Sequence, residues 1–592
     1  MRLSLPAALL LAATPVVAHE PMAPTALAVP FSAPANFTAH ARLFQERVTR
    51  VGGTPVWQIE FQGMNIVVIE GTDGLIILDT GMNKDIASAA LAKIRAQIST
   101  KPVKAVVYTH HHPDHVNGAS LFVDPADVAS GKVPVFAAAN FIKELSDEGI
   151  ATLPIVANRA AYMYGFSLTG EEAANYHVGC CGGLNTPGKN ESGYIPPTQF
   201  VDMDGARDVE IAGVKLHLFH TGGEAASHIA IWLPDYRILV SGDEVQGPTF
   251  PNLHSMRGTK MRDANRWIGA LRRMQQFDSA YIVPMHGPVV AGAPEIKALL
   301  ARYEDAIQYT HDQTIRLMNK GVSENELPDA IGPLPAFLQS EPYTTEYYGT
   351  VADAARSYYV GYISWFSGDA TDLAPTPRAE RAKREIAMMG GRDRVLDAAT
   401  KAFQAGDPQW AAELGTMLIA IDHQDMDARR IKAAAFRKLG YATYNSNRRG
   451  FYLMGALELE GKLDPRGLTA RYMNPDNIRK MPVPLMLDWA RYRVDPKVAS
   501  TGDYQVALLL PGQQDAWLLQ LRNSTFKSRK GAAGTMSTVM LDPTALGDLV
   551  AGAATVDELA KAGVIRGEGI SALAGIFAAL DLKAQPIDLV VR

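Results

Sequence analysis

Residues 106–115 read Val106-Val107-Tyr108-Thr109-His110-His111-His112-Pro113-Asp114-His115, and the reading of the first half of the chain turns on them. The apolar run from Val103 to Tyr108 predicts a strand. Residues two apart in an extended chain share a face, so His110 and His112 point to the same side and His111 to the other. Pro113 then turns the chain and presents Asp114 and His115 to a second position. Four of the fourteen histidines fall within these six residues, which packing alone does not explain. Imidazole nitrogens with a carboxylate, and no thiolate, suit zinc or a similar divalent ion. Two such ions about 3.5–4 Å apart can activate water and take up charge on a leaving group. His111 is read as structural.

Outward from this motif, three patterns follow one another. From about Val51 to Pro288, Val/Ile-rich runs such as Asn65 to Ile69, Leu75 to Leu78, Val214 to Phe219, Ile229 to Leu233 and Ile238 to Val240 alternate with Gly-punctuated loops and helical stretches. That alternation marks a layered α/β domain. From about Val351 to Gly461 strands vanish, and helices are predicted at Arg394 to Phe403, Gln409 to Ile421 and Met426 to Leu439. From Pro496 onward, strands at Tyr504 to Leu510, Asp515 to Leu521 and Thr535 to Leu541 precede helices at Thr544 to Ala551, Thr555 to Ala562 and Ile570 to Leu580, a small α+β domain. The pair Arg262-Asp263 reads as a local ion pair, and Arg272-Arg273 and Arg429-Arg430 as solvated helix faces.

Composition sets outer bounds. A chain that is 47% hydrophobic and 20% charged folds rather than staying disordered. With 57 basic against 62 acidic residues it has no excess to neutralise a phosphate backbone, which argues against nucleic acid. Met1-Arg2, the apolar run Leu3 to Val17 and the small Ala18 read as a secretory signal cleaved after Ala18, and hence as a periplasmic or secreted protein. No later stretch is long and uncharged enough to span a membrane. The adjacent Cys180 and Cys181 do not make a normal structural disulfide, and reduced, packed thiols are expected.

The His-x-His-x-Asp-His pattern resembles the metallo-β-lactamase superfamily. Further stretches follow in that family's order: Leu78-Asp79-Thr80-Gly81, His220-Thr221-Gly222-Gly223-Glu224, Val240-Ser241-Gly242-Asp243 and Pro284-Met285-His286-Gly287. Glu224 stands where hydrolases of this fold usually carry a histidine, a substitution shared with the alkyl sulfatases of the SDS-hydrolase type. The run Asn252-Leu253-His254-Ser255-Met256-Arg257-Gly258 resembles that branch too, with His254 where a tyrosine is expected.

The resemblance implies an αββα sandwich at 35–345, a helical dimerisation domain at 346–480 and a sterol-carrier-type C-terminal domain at 485–592, behind the signal at 1–18. By the same resemblance, His110, His112 and Glu224 would hold one Zn2+, and Asp114, His115 and His286 another. Asp243 would bridge them, although counting back from Asn252 nominates Glu244 instead. Asp79 would orient a ligand, and Asn252 and Arg257 would bind sulfate. The implied activity is hydrolysis of an amphiphilic alkyl sulfate ester to an alcohol and inorganic sulfate by a homodimer with two zinc ions per chain. The alkyl tail would lie on apolar surface near Tyr162, Tyr164 and Phe166, which also read as plain core. Other hydrolases of this fold (lactam, lactone, phosphodiester) and a non-catalytic periplasmic lipid carrier are the competing readings.

Overall fold

The computed structural model describes residues 27–61, 63–174, 190–339, 342–464, 474–499, 502–582 and 587–592. The expected signal segment and the Cys180–Cys181 pair lie outside them. The chain resolves into two compact units. The larger comprises Phe31–Pro375 with Gly440–Val590, and the smaller is built on Thr376–Leu439.

The larger unit begins with two facing sheets. The first has seven strands in chain order: β1 (Arg47–Arg50), β2 (Val56–Phe61), β3 (Met64–Glu70), β4 (Leu75–Leu78), β5 (Val103–Val107), β6 (Val135–Ala138) and β7 (Gln199–Val201). Its first four strands are antiparallel, and β4 to β7 run parallel. The second sheet has β8 (Ala206–Ile211), β9 (Val214–His220), β10 (Ile229–Leu233), β11 (Ile238–Gly242), β12 (Tyr281–Pro284) and β13 (Val290–Ala291), ordered β13-β12-β11-β10-β9-β8.

Strand periodicity divides the core into layers. Ala105 and Val107 of β5 point between the sheets, where Val67, Ile69 and Leu78 meet Leu216, Leu218, Ile231, Val240 and Val283. The alternate residues Ile66, Val68, Val106 and Tyr108 face outward and are covered by Ala87, Ala90 and Ile94 of the helix Lys84–Gln97. On the far side, Phe219, Leu239 and Ile282 are covered by Trp267 and Leu271 of the helix Ala264–Met274, and by Leu300, Tyr303 and Ile307 of Ala293–Met318. This is the four-layer αββα arrangement expected. Each such aliphatic side chain contributes about 1.5–3 kcal/mol by leaving water, and the layering leaves strand ends as the place for polar groups.

Between residues 351 and 461 there are only helices: Val351–Ile363, Arg378–Met388, Arg392–Gln404, Pro408–Ile421, Met426–Ala442 and Ser446–Leu459. Within the smaller unit, Ile386, Leu396, Phe403, Leu414 and Leu418 are buried, and Asp407 caps the helix Pro408–Ile421 by accepting the Trp410 N–H. Arg430 is exposed as expected. Arg429 is buried instead and donates to the His423 carbonyl at 3.3 Å. Likewise Arg272 is exposed, but Arg273 stacks its guanidinium over Phe219, 4.7 Å from the ring centre.

The C-terminal sheet has four strands where the sequence predicts three: β14 (Asp503–Leu509), β15 (Ala516–Arg522), β16 (Thr525–Gly531) and β17 (Thr538–Met540), ordered β16-β15-β14-β17. The extra strand, β16, is an edge strand exposed along most of its length and carrying Lys527, Arg529 and Lys530. It therefore shows no hydrophobic alternation, and basic residues guard an otherwise open edge. Asn523 and Ser524, both at positive φ (52° and 56°), form the two-residue turn that pairs it with β15. Helices Pro543–Val550, Val556–Lys561 and Ile570–Ala578 cover this sheet. Its core extends to Ile150 and Leu145, residues of the first domain.

Trp267 is fully buried, and its indole N–H donates to the Glu244 carbonyl at 3.0 Å. Trp267→Ala should lower stability by about 3–5 kcal/mol, measured by urea unfolding. A loss under about 1 kcal/mol would mean that this helix does not anchor the second sheet.

Candidate metal centre and adjoining cavity

The ends of β5, β9, β11 and β12 converge, and each delivers part of one buried cluster. His110, His112, Asp114 and His115 follow β5, Glu224 follows β9, Asp243 follows β11 and His286 follows β12. All seven are buried. Two groups form with Asp243 between them: His110, His112 and Glu224 on one side, and Asp114, His115 and His286 on the other. Asp243 Oδ2 lies 3.0 Å from His286 Nε2, 3.7 Å from His115 Nε2 and 3.9 Å from His110 Nε2.

The four imidazoles are each held from behind. His115 donates from Nδ1 to Asp79 Oδ2 at 2.6 Å. Thr109 donates its backbone N–H and its hydroxyl to the same carboxylate, both at 2.7 Å. The Thr109 oxygen is then free to accept from His110 Nδ1 at 3.0 Å. His286 donates from Nδ1 to the Gly63 carbonyl, and His112 donates from Nε2 to Glu148 Oε1 at 3.2 Å. With those protons placed, His110 Nε2, His112 Nδ1, His115 Nε2 and His286 Nε2 turn lone pairs inward. Asp79 reaches two partners from a left-handed backbone, φ 56°.

Such a cluster fits a divalent metal. His110 Nε2 and His112 Nδ1 lie 2.8 Å apart and aim at one point. The buried His115 Nε2, Glu224 Oε2 and Asp243 Oδ1 have no hydrogen-bond partner, although buried polar atoms are nearly always satisfied. Burial holds the His110 pKa well below its usual value, which favours the neutral, ligating form of that ring.

The choice between Asp243 and Glu244 has a geometric answer. Gly242, at φ 56°, turns the chain where a Cβ would lie 2.3 Å from His228 Nε2, and that nitrogen accepts the Asp243 N–H at 2.9 Å. Asp243 thereby faces the histidines. Glu244 points away and accepts the backbone N–H groups of Gly223 (2.9 Å) and Glu224 (3.1 Å). Burial pushes its carboxyl up to about 7. It shapes the loop that carries Glu224.

Two residues of this site escape the sequence reading. Arg262 pairs with Glu224 Oε1 at 2.5 Å and also donates to the Asn252 carbonyl, whereas Asp263 caps the helix Ala264–Met274 by accepting the Asn265 and Arg266 N–H groups. The expected local Arg262–Asp263 pair is therefore replaced by a long-range one, because the cap at Asp263 competes for its carboxylate. Gln246 donates to Glu224 Oε1 at 3.3 Å and accepts the Asn252 N–H at 2.7 Å. No short-range pattern marks either residue.

Beside the cluster lies a small polar pocket whose walls include Asn252, Arg257, Tyr164 and Tyr348 with the ligand candidates His112, Asp114, Glu224, Asp243 and His286. The Asn252 amide Nδ2 is buried there with no partner. Arg257 donates to Tyr164 Oη at 3.1 Å and to Ser255 Oγ at 3.0 Å. His254 is absent from this lining, and the phenol hydroxyls present are those of Tyr164 and Tyr348, 3.0 Å apart. An apolar cavity of about 200 Å3 adjoins it, walled by Leu145, Ile150, Leu153, Val156, Phe166 and Leu485. The two spaces share His112, Asp114, Tyr164 and Arg257. Of the three aromatics expected beside a tail, Tyr164 and Phe166 line this cavity, while Tyr162 is buried core and donates to Glu458. His111 bonds Ser227 Oγ at 2.8 Å.

Breaking a buried ion pair from one side leaves an uncompensated charge. Arg262→Met should therefore destabilise the metal-stripped protein by about 3–5 kcal/mol, and the zinc-loaded protein by clearly less, because a cation then answers Glu224. Urea unfolding of both forms checks this, and equal losses would contradict it.

Comparison with known proteins places the chain among relatives. Residues 61–286 match the metallo-beta-lactamase superfamily, residues 323–462 the alkyl sulfatase dimerisation family and residues 471–590 the alkyl sulfatase C-terminal family. The chain is 40% identical over 540 residues to a linear primary-alkylsulfatase of Pseudomonas sp. (strain ATCC 19151), covering 89% of this chain and 100% of that protein. It is 30% identical over 516 residues to an (R)-specific secondary-alkylsulfatase of Pseudomonas sp., covering 85% of this chain and 76% of that one. The solved structure of a stereoselective inverting sec-alkylsulfatase from Pseudomonas sp. superposes with a TM-score of 0.86 at 28% identity, covering 96% of this chain and 90% of that one. The chain belongs to the alkyl sulfatase family of the metallo-β-lactamase superfamily.

Proposed function

We propose that this protein hydrolyses alkyl sulfate esters to an alcohol and inorganic sulfate at a two-zinc centre. The observation that carries this reading is the shared wall. A polar pocket with a guanidinium and an unpartnered amide donor adjoins an apolar cavity, and the two share His112, Asp114, Tyr164 and Arg257 as lining. An amphiphile with an anionic head and a hydrocarbon tail matches both spaces at once, and a lactam or a phosphodiester without a hydrocarbon chain would leave the second unfilled. The similarity to two curated alkylsulfatases of Pseudomonas supports it.

In this reading His110, His112 and Glu224 hold one ion, Asp114, His115 and His286 the other, and Asp243 lies between them. When bound, the metal supplies Lewis acidity and lowers the pKa of water. The chain's own side chains do the rest. Arg257 offers a planar fork of N–H donors and Asn252 an amide N–H, which bind sulfate oxygens and stabilise charge growing on them. The cavity takes the tail out of water, which gains about 0.8 kcal/mol per buried methylene, and fixes where the ester oxygen sits. Arg262 and Gln246 keep Glu224 in place by occupying its Oε1 and leaving Oε2 to face His110 (3.6 Å) and His112 (3.5 Å).

We also propose the domain plan of a catalytic domain at 35–345, a helical domain at 346–480 and a lipid-carrier-like domain at 485–592, acting as a homodimer. The match of residues 323–462 to the dimerisation family supports the last point. So do Val360, Ile363 and Trp365, which are 44%, 51% and 61% exposed at and just beyond the end of the helix Val351–Ile363 and would be covered in a dimer.

Sulfate release from dodecyl sulfate, with zinc measured on the same sample, tests the activity. Release that a chelator abolishes, with about two metals per chain, is expected. A fully metallated protein that frees no sulfate but opens a lactam, lactone or phosphodiester would discard the substrate. Arg257→Ala should lower turnover about 100-fold or more at unchanged zinc content. If metal and turnover fall together, Arg257 is structural.

A further inference from the structure

Of the four imidazoles in the cluster, three are braced by groups on the sandwich itself: Thr109, Asp79 and the Gly63 carbonyl. The fourth, His112, is braced from elsewhere. Its partner Glu148 sits on a single π-helical turn, Leu145–Ile150, inserted between the short helix Phe141–Glu144 and the helix Leu153–Met163. Isolated π turns cost regular hydrogen bonding and occur often at functional sites. This one puts Glu148 into the wall of the apolar cavity, a poor place for a carboxylate unless it is partnered.

We infer that Glu148 is the positioning residue for His112, holding its proton on Nε2 so that Nδ1 presents a lone pair to the metal centre. The inference rests on the reading of the cluster as a metal site. Three observations support it. Glu148 Oε1 lies 3.2 Å from His112 Nε2, and the Glu148 side chain is only 15% exposed. On the opposite edge of the ring, His112 Nδ1 lies 2.8 Å from His110 Nε2 and 3.5 Å from Glu224 Oε2. The other oxygen, Glu148 Oε2, accepts the Lys260 backbone N–H at 3.4 Å and is 4.0 Å from His111 Nε2, beyond hydrogen-bond reach. His112 is thus the nearest side-chain donor. Without an acceptor behind it, the imidazole is free to place its proton on Nδ1, where it would point into the cluster and remove the lone pair. Carboxylates behind metal-bound histidines act in this way, and their loss typically weakens metal binding 10–100-fold.

The turn itself is tied down separately. Lys260 Nζ reaches Glu144 Oε2 at 2.8 Å and Asp147 Oδ2 at 3.1 Å. That separation supplies a control. Glu148→Ala, Glu148→Gln and Glu144→Gln would each be loaded with zinc, and the metal's transfer to a coloured chelator followed, with thermal unfolding of the metal-free proteins in parallel. Glu148→Ala should release one of two ions about 10–100-fold more readily and the other as the parent does. Glu148→Gln, whose amide oxygen can accept the same hydrogen bond, should recover most of that loss. Glu144→Gln should retain both ions like the parent. Parent-like retention of both ions in Glu148→Ala would overturn the assignment, as would an equal loss in Glu144→Gln, which would put the effect in the turn rather than in the carboxylate. If the parent itself takes up no zinc, the metal-centre reading fails and the role of Glu148 goes with it.

Discussion

A neutral imidazole can point its lone pair at a metal only if something behind it holds the proton. In water a solvent molecule does this. In a cluster where every histidine is at least 94% buried, the protein must do it, and the partners must arrive in the right place before any ligand does. The whole arrangement around β5 follows from that requirement. Asp79 serves His115 directly and His110 through Thr109, so one carboxylate at the end of β4 fixes two rings. His286 uses a backbone carbonyl, whose position is set by the β2–β3 hairpin.

The carboxylates obey a parallel rule. Burying an anion is costly unless it is paired and hydrogen-bonded. Glu224 meets Arg262 and Gln246, and Glu244 meets two backbone N–H groups. Arg262 in turn closes on the Asn252 carbonyl, so the residues that shape the polar pocket and those that support the metal candidates form one network. The sandwich provides the rigidity. Its apolar layers bury the residues at the strand ends, and polar contacts made at such low exposure are stronger than they would be in water.

Much of this was legible in the residues because it is local. His110, His112, Asp114 and His115 announce themselves by spacing on a strand and the turn after it. Asp79, Glu224, Asp243 and His286 could be read only through their resemblance to a family pattern, since each is a single residue whose neighbours lie elsewhere in the chain. Arg262 and Glu148 were not legible at all. One lies 38 residues from Glu224 and the other 36 from His112, with nothing periodic between. The nearest apparent partner of Arg262, Asp263, was already committed as a helix cap. The strand β16 escaped for the opposite reason: its surroundings are solvent, so no burial pattern is written into it.

Asp79 shows how tightly such a position is specified. Its backbone is left-handed, a conformation that side chains other than glycine, asparagine and aspartate adopt at a cost of roughly 1–2 kcal/mol. Its carboxylate accepts from a backbone amide, a hydroxyl and an imidazole at once. Glycine would suit the backbone and abandon all three donors. Glutamate would keep the charge but carry the left-handed penalty and overshoot by one methylene. Asparagine would suit the backbone and keep an acceptor, but turn an amide N–H toward a donor. Conformation and chemistry thus narrow the choice independently, and aspartate is the one residue that satisfies both. Drift at this site is closed, whereas the exposed face of β16 leaves mutation wide latitude.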